Sequence, residues 1–580
     1  MRTRSAVVTA LLAVALLGAR QEPSAPDPVL KAMQAELDRA FAKLKTSGES
    51  PLYYLCYRVY ETESVSVSAT YGAIDNQRRS EKSRTLDVEL RVGNPKLDNT
   101  HKIRDEGWDP SDRYGRSGAP LMPVEDDETA IRNALWLATD AHFKSAQKRY
   151  VKVKANKAVK VEEEDTSDDF SVEKAQVFTG PPAPFAIDRP GWEQRLRKLS
   201  MIYRDYKDVF NSSVSFAAVR TRRWLVNTEG SRIQDERIQY RLFTVVETVA
   251  DDGMELSLYD GVEAATPDAL PDDARMQETV KTLAKQLTDL RVAPVADTFA
   301  GPAILRSKAA GVVFHEIFGH RIEGHRQKDE EEGRTFAKKV GQSVMPEFIT
   351  VVDDPPRQFL GKLPLNGHYK FDDEGVPAQK VTLVEKGILR SFLMGRSPVK
   401  NFPNSNGHGR CSPGNSPVAR QGNLIVDSTK RVPYAKLREM LLEEIKKQGK
   451  PYGLIFDDIA GGFTMTQSFL PQSFKLLPLR VWRVYPDGKP DEVLRGVDIV
   501  GTPLASLEKI LCAADDDDAF NGTCGAESGW VPVAACSPSL LVGTIEVERQ
   551  QKSQDRPPLL PAPRHDPEDP SKKGKKEGQP

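Results

Sequence analysis

From Gly311 to His325 the chain reads Gly-Val-Val-Phe-His-Glu-Ile-Phe-Gly-His-Arg-Ile-Glu-Gly-His, which sets three of its eight histidines and two glutamates behind a run of apolar residues. Imidazole nitrogens with a carboxylate beside them on one helix are what a hydrolytic zinc centre requires: two ligands hold the ion, and one base takes a proton from water. His315 and His320 are the candidate ligands and Glu316 the candidate base. A His-Glu-x-x-x-His string arises by chance only about 0.01 times in a chain of this length and composition, so coincidence is a poor account of it.

The spacing poses a geometric problem. His315 and His320 are five residues apart, whereas the zinc-protease pattern His-Glu-x-x-His keeps its ligands one turn apart on one face. On a regular α-helix a five-residue step rotates about 140° and climbs about 7.5 Å, so the two rings would diverge. A π-type widening returns such positions to one face, and Gly319 is placed to permit a distortion or a helix end there. The competing reading is a helix whose histidines merely sit at a packed surface.

The rest of the composition narrows the class. The 82 basic and 83 acidic residues leave a net charge of −1, without the one-sided bias that a phosphate-binding surface needs, so nucleic acid is not an expected partner. A chain of 580 residues has room for two or three domains. Arg2 and Arg4 precede the apolar run Ala6 to Leu17 and the small pair Gly18-Ala19, the pattern of an export signal over residues 1–21. That pattern places the mature protein in the periplasm or outside the cell. The run falls short of the roughly 20 apolar residues that cross a bilayer, and no membrane span is expected in the mature chain.

Five cysteines leave at least one unpaired. Cys524, in the glycine-flanked stretch Gly522-Thr523-Cys524-Gly525, is a candidate metal ligand, because a thiolate binds zinc strongly. Cys512 and Cys536 flank it at equal distance, a spacing open to a disulfide, although connectivity is not legible in sequence. Each cysteine taken alone is also explained as a small buried apolar residue.

Periodicity gives an α+β fold: an N-terminal mixed domain over 28–300, then a mostly β domain over 301–550 that carries the metal-binding helix, and a Pro- and Lys-rich tail over 551–580 expected to be disordered. Helices are expected at Val29 to Lys45, Glu128 to Tyr150, Trp192 to Val209 and Asp272 to Leu290. Alternation and β-branched residues predict strands at Leu52 to Thr70 and Thr85 to Val92, and a strand-rich region from Val214 to Leu258 broken by a turn at Asn227 to Gly230. Further strands are expected at Phe348 to Val352, Val381 to Val384, Leu424 to Val426, Leu479 to Tyr485 and Leu540 to Val547. The acidic stretch Glu162 to Asp169 reads as a solvated loop.

The motif His315-Glu316-Ile317-Phe318-Gly319-His320-Arg321-Ile322-Glu323-Gly324 resembles the signature of the TldD/PmbA family, the modulators of DNA gyrase, and in particular its TldD-like zinc metallopeptidase branch. Val351-Val352-Asp353-Asp354, Phe371-Asp372-Asp373-Glu374-Gly375, Gly407-His408-Gly409-Arg410, Gly461-Gly462 and Thr523-Cys524-Gly525 through Val533 agree in order and spacing. The resemblance is strong after about residue 300 and weak before it. It implies a Zn2+ ion held by His315, His320 and Cys524, with Glu316 as general base. It also implies hydrolysis of peptides or unfolded polypeptides, and a homodimer or a heterodimer with a related PmbA-like subunit.

Within the matching segments, His368, His408 and Arg410 are candidates to bind substrate or stabilise an oxyanion; ordinary loop polar residues are the alternative. Asp372-Asp373-Glu374 reads as a solvated turn in preference to a second, oxygen-ligand metal site. A rival third ligand is His325, since His315 to His325 has the length of the metzincin pattern, but its middle histidine and its glycine are out of register. Motif agreement favours Cys524. The alternative function is a non-catalytic exported assembly or peptide-binding subunit, from which bound zinc would distinguish an enzyme.

Overall fold

The computed structural model describes residues 27–79, 82–103, 121–159, 164–468, 473–550, 558 and 560–565. The segment read as an export signal, and most of the tail, lie outside the described residues. The α+β class holds throughout.

The N-terminal half is built on a twisted eight-stranded sheet. Leu52–Thr70 pairs antiparallel with Ser83–Asn94 on one side and Asn211–Asn227 on the other, and Arg232–Val249 and Glu255–Ala264 extend the order. At the turn between Asn211–Asn227 and Arg232–Val249, Asn227 Oδ1 accepts from the backbone N–H groups of Glu229 and Ser231. Helix α1 (Pro28–Leu44) starts where Asp27 Oδ1 accepts from the Val29 and Leu30 N–H groups, the usual role of an Asp at this position. It buries Val29, Met33 and Leu37 against α2 (Glu128–Val159) and one end of the sheet. Helices α3 (Arg189–Met201) and α4 (Asp273–Val292) close a second core at the other end, around Phe216, Leu242 and Leu287.

The C-terminal half holds two large sheets. In one, Phe299–Leu305 lies between Gly453–Thr464, to which it is parallel, and Leu540–Arg549, to which it is antiparallel. In the other, Ile349–Asp353, Asn423–Ser428, Gly529–Ser537 and Asp518–Ala526 are neighbours. Helix α5 (Ser307–Ile317) is packed among strands of both and is buried along all but one of its residues. Gly311 allows this: a β-carbon there would meet the Ala535 carbonyl oxygen at 2.4 Å. A four-residue helix, α6 (His325–Lys328), follows the metal motif.

Four expectations are corrected. Helix α7 (Tyr434–Lys447) stands in a stretch expected to be β, and it buries Leu437, Leu441 and Ile445, whose spacing of four is a helical signal in plain view. The acidic stretch is the expected loop, with Glu164 and Asp168 exposed, but its described part is docked: Glu164 pairs with Arg334 and Lys338, Lys328 donates to the Ser167 and Asp168 carbonyls, and buried Asp169 bonds His101. The Asp372–Glu374 turn is interior, because Arg223 pairs with Asp373 and backbone N–H groups of Glu374, Val376 and Gly409 converge on the Asp372 carboxylate. Finally, Cys512 and Cys536 lie in strands of different sheets, and all five cysteines are free and buried.

Candidate metal centre

Helix α5 stops at Ile317, and the chain turns through Phe318 into a 3-10 turn over Gly319–Ile322. The expected π-type widening is absent; ending the helix achieves the same result. His315 sits on the last turn of α5 and His320 in the 3-10 turn, and their rings meet edge to face with centroids 5.0 Å apart. Gly319 makes the turn possible, since a β-carbon there would fall 1.9 Å from Gln421 Oε1. Gln421 in turn donates from Nε2 to the His315 carbonyl at 3.3 Å.

The hairpin Asp518–Ala526 and Gly529–Ser537 delivers the third group. Ligand atoms of His315, His320 and Cys524 lie within 4.8 Å of one another, and all three residues are buried. Cys524 Sγ is 3.3 Å from His320 Nε2. Glu316, next to His315, is 7% exposed. His325 is not brought to the cluster: its Nε2 lies 2.5 Å from Glu527 Oε1.

The electrostatics bind the cluster together. Burial would push the Cys524 thiol up, but the charges of His320 and His315 beside it outweigh burial and hold it well below the ordinary thiol range. Burial also opposes charge on His320, and Cys524 and Glu323 reverse that and raise it. Glu323 is fully buried, with Oε1 3.3 Å from His320 Nδ1 and Oε2 accepting from Arg326 Nε at 2.8 Å. This leaves His320 Nε2 directed at the sulfur. Arg420, also fully buried, donates from Nη2 to the Cys524 carbonyl at 2.8 Å and to Sγ at 3.1 Å. Carboxylate-to-imidazole and donor-to-thiolate contacts of this kind orient ligands and tune a metal.

A metal of the zinc type fits these residues. Two imidazoles and a thiolate match its preference for nitrogen and sulfur, and three protein ligands leave a position for water or substrate. His315 Nδ1 is buried without a hydrogen-bond partner, which is costly for a polar atom unless the ring serves another purpose.

The other predicted residues lie elsewhere. His408 is fully buried, its ring between Asn406 and Asp353. His368 Nδ1 bonds the Pro355 carbonyl, and Arg410 Nη1 the Gln421 carbonyl; both border a groove whose lining includes none of His315, His320 and Cys524. Glu323 stood inside the motif, so its acidity beside a ligand was a usable signal. Arg420 carried none, because its role depends on a contact across 104 residues.

A family model described as the PmbA/TldA metallopeptidase C-terminal domain matches residues 299–549. A metalloprotease of Archaeoglobus fulgidus is 29% identical over 271 residues, 46% of this chain and 57% of the relative. A zinc metalloprotease TldD homologue of Saccharolobus solfataricus is 24% identical, over 42% of this chain and 51% of its own length. The chain thus spans little more than half the length of these two relatives. TldE from Thermococcus kodakarensis shares the fold with a TM-score of 0.57 at 14% identity, over 89% of this chain and 100% of that one. Residues 299–549, which hold both the His-Glu-x-x-x-His motif and the downstream cysteine of the cluster, thus match the C-terminal domain of the TldD/PmbA family.

Proposed function

We propose that the protein is a zinc-dependent peptidase in which His315, His320 and Cys524 hold the ion and Glu316 is the general base. The observation that carries this reading is the convergence of the three ligand atoms within 4.8 Å in a buried cluster. The names of the relatives, metalloprotease and zinc metalloprotease, support it.

When bound, zinc supplies a Lewis acid and lowers the pKa of a coordinated water toward about 7. Glu316 accepts a proton at its carboxylate as water attacks the scissile carbonyl, then returns it to the leaving amine nitrogen. Glu323 fixes the His320 ring by facing Nδ1, and Arg420 stabilises negative charge on the Cys524 sulfur. Burial of all four residues keeps bulk water from competing for these contacts.

The substrates are peptides or unfolded polypeptides, and the working assembly is a dimer with a second copy or with a related PmbA-like subunit. The Arg2 to Ala19 pattern supports export to the periplasm or beyond. Metal analysis of the purified protein, paired with a peptide-hydrolysis assay, tests the reading. About one zinc per chain, with activity lost to a chelator and restored by zinc, is expected; a chain that binds no zinc is the non-catalytic subunit instead.

A further inference from the structure

A groove of about 580 Å³ runs between the N-terminal sheet and the C-terminal half. Arg237 and Gln239 reach it from the strand Arg232–Val249, Asn366 and His368 from the loop beyond Leu363–Pro364, and Arg410 and Trp530 from the C-terminal half. It is distinct from the metal cluster. None of His315, Glu316, His320 and Cys524 lines it, although Val531, which stands opposite Cys524 in the hairpin, does.

Two guanidiniums meet in this groove, where Glu263 is the acid whose charge reaches Arg237. Arg237 Nη2 donates to the Asn366 carbonyl at 2.7 Å and to its Oδ1 at 2.6 Å. Asn366 is itself fixed by Gln239 and Asn521. Arg410 is 5% exposed; it donates from Nη1 to the Gln421 carbonyl at 2.6 Å and lies 4.6 Å over the Tyr369 ring. Each guanidinium has five N–H groups, so both keep donors beyond these anchors.

The neighbouring acids are engaged elsewhere: Asp235 and Asp373 with Arg223, Glu236 with Arg222, and Glu263 with Arg241 and Gln239. Among the described residues, no carboxylate forms an ion pair with Arg237 or Arg410. Burial, and then Arg410, push the Arg237 guanidinium down to about 10, against the attraction of Glu263. Two anchored, partly desolvated cations that repel one another are costly, and an anion seated between them removes the cost.

We propose that Arg237 and Arg410 form a carboxylate-binding subsite that captures a peptide through its C-terminal carboxylate or an acidic side chain. The carboxylate chemistry rests on the two guanidiniums; the choice of a peptide rests on the peptidase reading above. Because the guanidiniums come from the two halves of the chain, the subsite exists only when those halves are docked.

Binding of dansyl-labelled hexapeptides to the full-length Glu316→Gln chain, followed by fluorescence anisotropy, tests it without turnover. Three probes with otherwise neutral side chains are compared: one with a free C-terminus, its amide, and an amide carrying one glutamate. At least one carboxylate-bearing probe should bind about tenfold or more tighter than the neutral amide. The free acid being favoured assigns the C-terminus, and the glutamate amide being favoured assigns a side chain. Arg237→Met and Arg410→Met should each remove that advantage and leave the neutral amide unchanged. Equal affinity of the three probes, or no binding, overturns the proposal, and this comparison needs neither arginine variant to fold. An advantage retained in both variants also overturns it. Failure to hydrolyse peptides would count against the peptidase reading alone and leave the binding comparison intact.

Discussion

His320 Nε2 lies 3.3 Å from Cys524 Sγ, although 204 residues separate them along the chain. A helix end and a β-hairpin tip supply the two sides of the contact, and Glu323 and Arg420 hold each side from behind. Groups positioned by separate elements are paired only in the folded chain, so under the proposed zinc reading metal retention reports on the whole C-terminal half.

Replacing Cys524 by serine removes the thiolate from the cluster, and Cys524→Ser should lose most of its zinc. His325→Ala should keep it, because His325 is engaged by Glu527. Inductively coupled plasma measurement of zinc per chain distinguishes the two, and the opposite response would make His325 the ligand.

Glu323 orients His320 and neutralises Arg326 and Arg420. Glu323→Gln should weaken zinc affinity by about 10- to 100-fold, the usual worth of a contact behind a ligand. It should also destabilise the fold by about 3–5 kcal/mol, because buried arginines lose their partner. Competition with a chromophoric chelator and urea unfolding measure the two effects; unchanged affinity would show that Glu323 is structural only.

Gly319→Ala forces a β-carbon into the space of Gln421 Oε1, which the buried surroundings cannot widely yield. A cost of about 1–3 kcal/mol is expected for such overpacking, with weaker zinc binding because Gln421 also supports the His315 carbonyl. Thermal melting with and without zinc checks this, and a wild-type Tm in both states would contradict it.

Burial raises Asp372 to about 7 and Glu374 to about 8, and the two charges oppose one another. Unfolded, both titrate near about 4. The folded chain therefore holds more protons between about pH 4 and 8, so the stability they contribute is full below that window and is lost as pH rises through it. The slope is at most about 1.4 kcal/mol per pH unit per proton. Glu374→Gln, uncharged at every pH, should flatten the fall in Tm between about pH 5 and 8; an unchanged slope would contradict this assignment.

Sequence carried the local order well where burial is one-sided. The strand Leu52–Thr70 and helices α1 and α4 follow their apolar periods, and the metal motif announced its residue types. What sequence did not carry depends on distant partners. Asp372 and Glu374 look like solvent-facing turn residues until Arg223 and Arg396 arrive from elsewhere in the fold. Likewise, the five-residue histidine spacing is compatible with a widened helix or a helix end, and packing of Gln421 against Gly319 goes with the latter.

The central claim is that Glu316 moves the proton and does not bind the ion. Glu316→Gln keeps the size and hydrogen-bonding shape of the side chain but removes its basicity. Zinc stoichiometry and peptide-hydrolysis rate, measured on one preparation, should show a full zinc complement with activity reduced by about 100-fold or more. Retained activity would place the base on another residue, and lost zinc would make Glu316 a ligand.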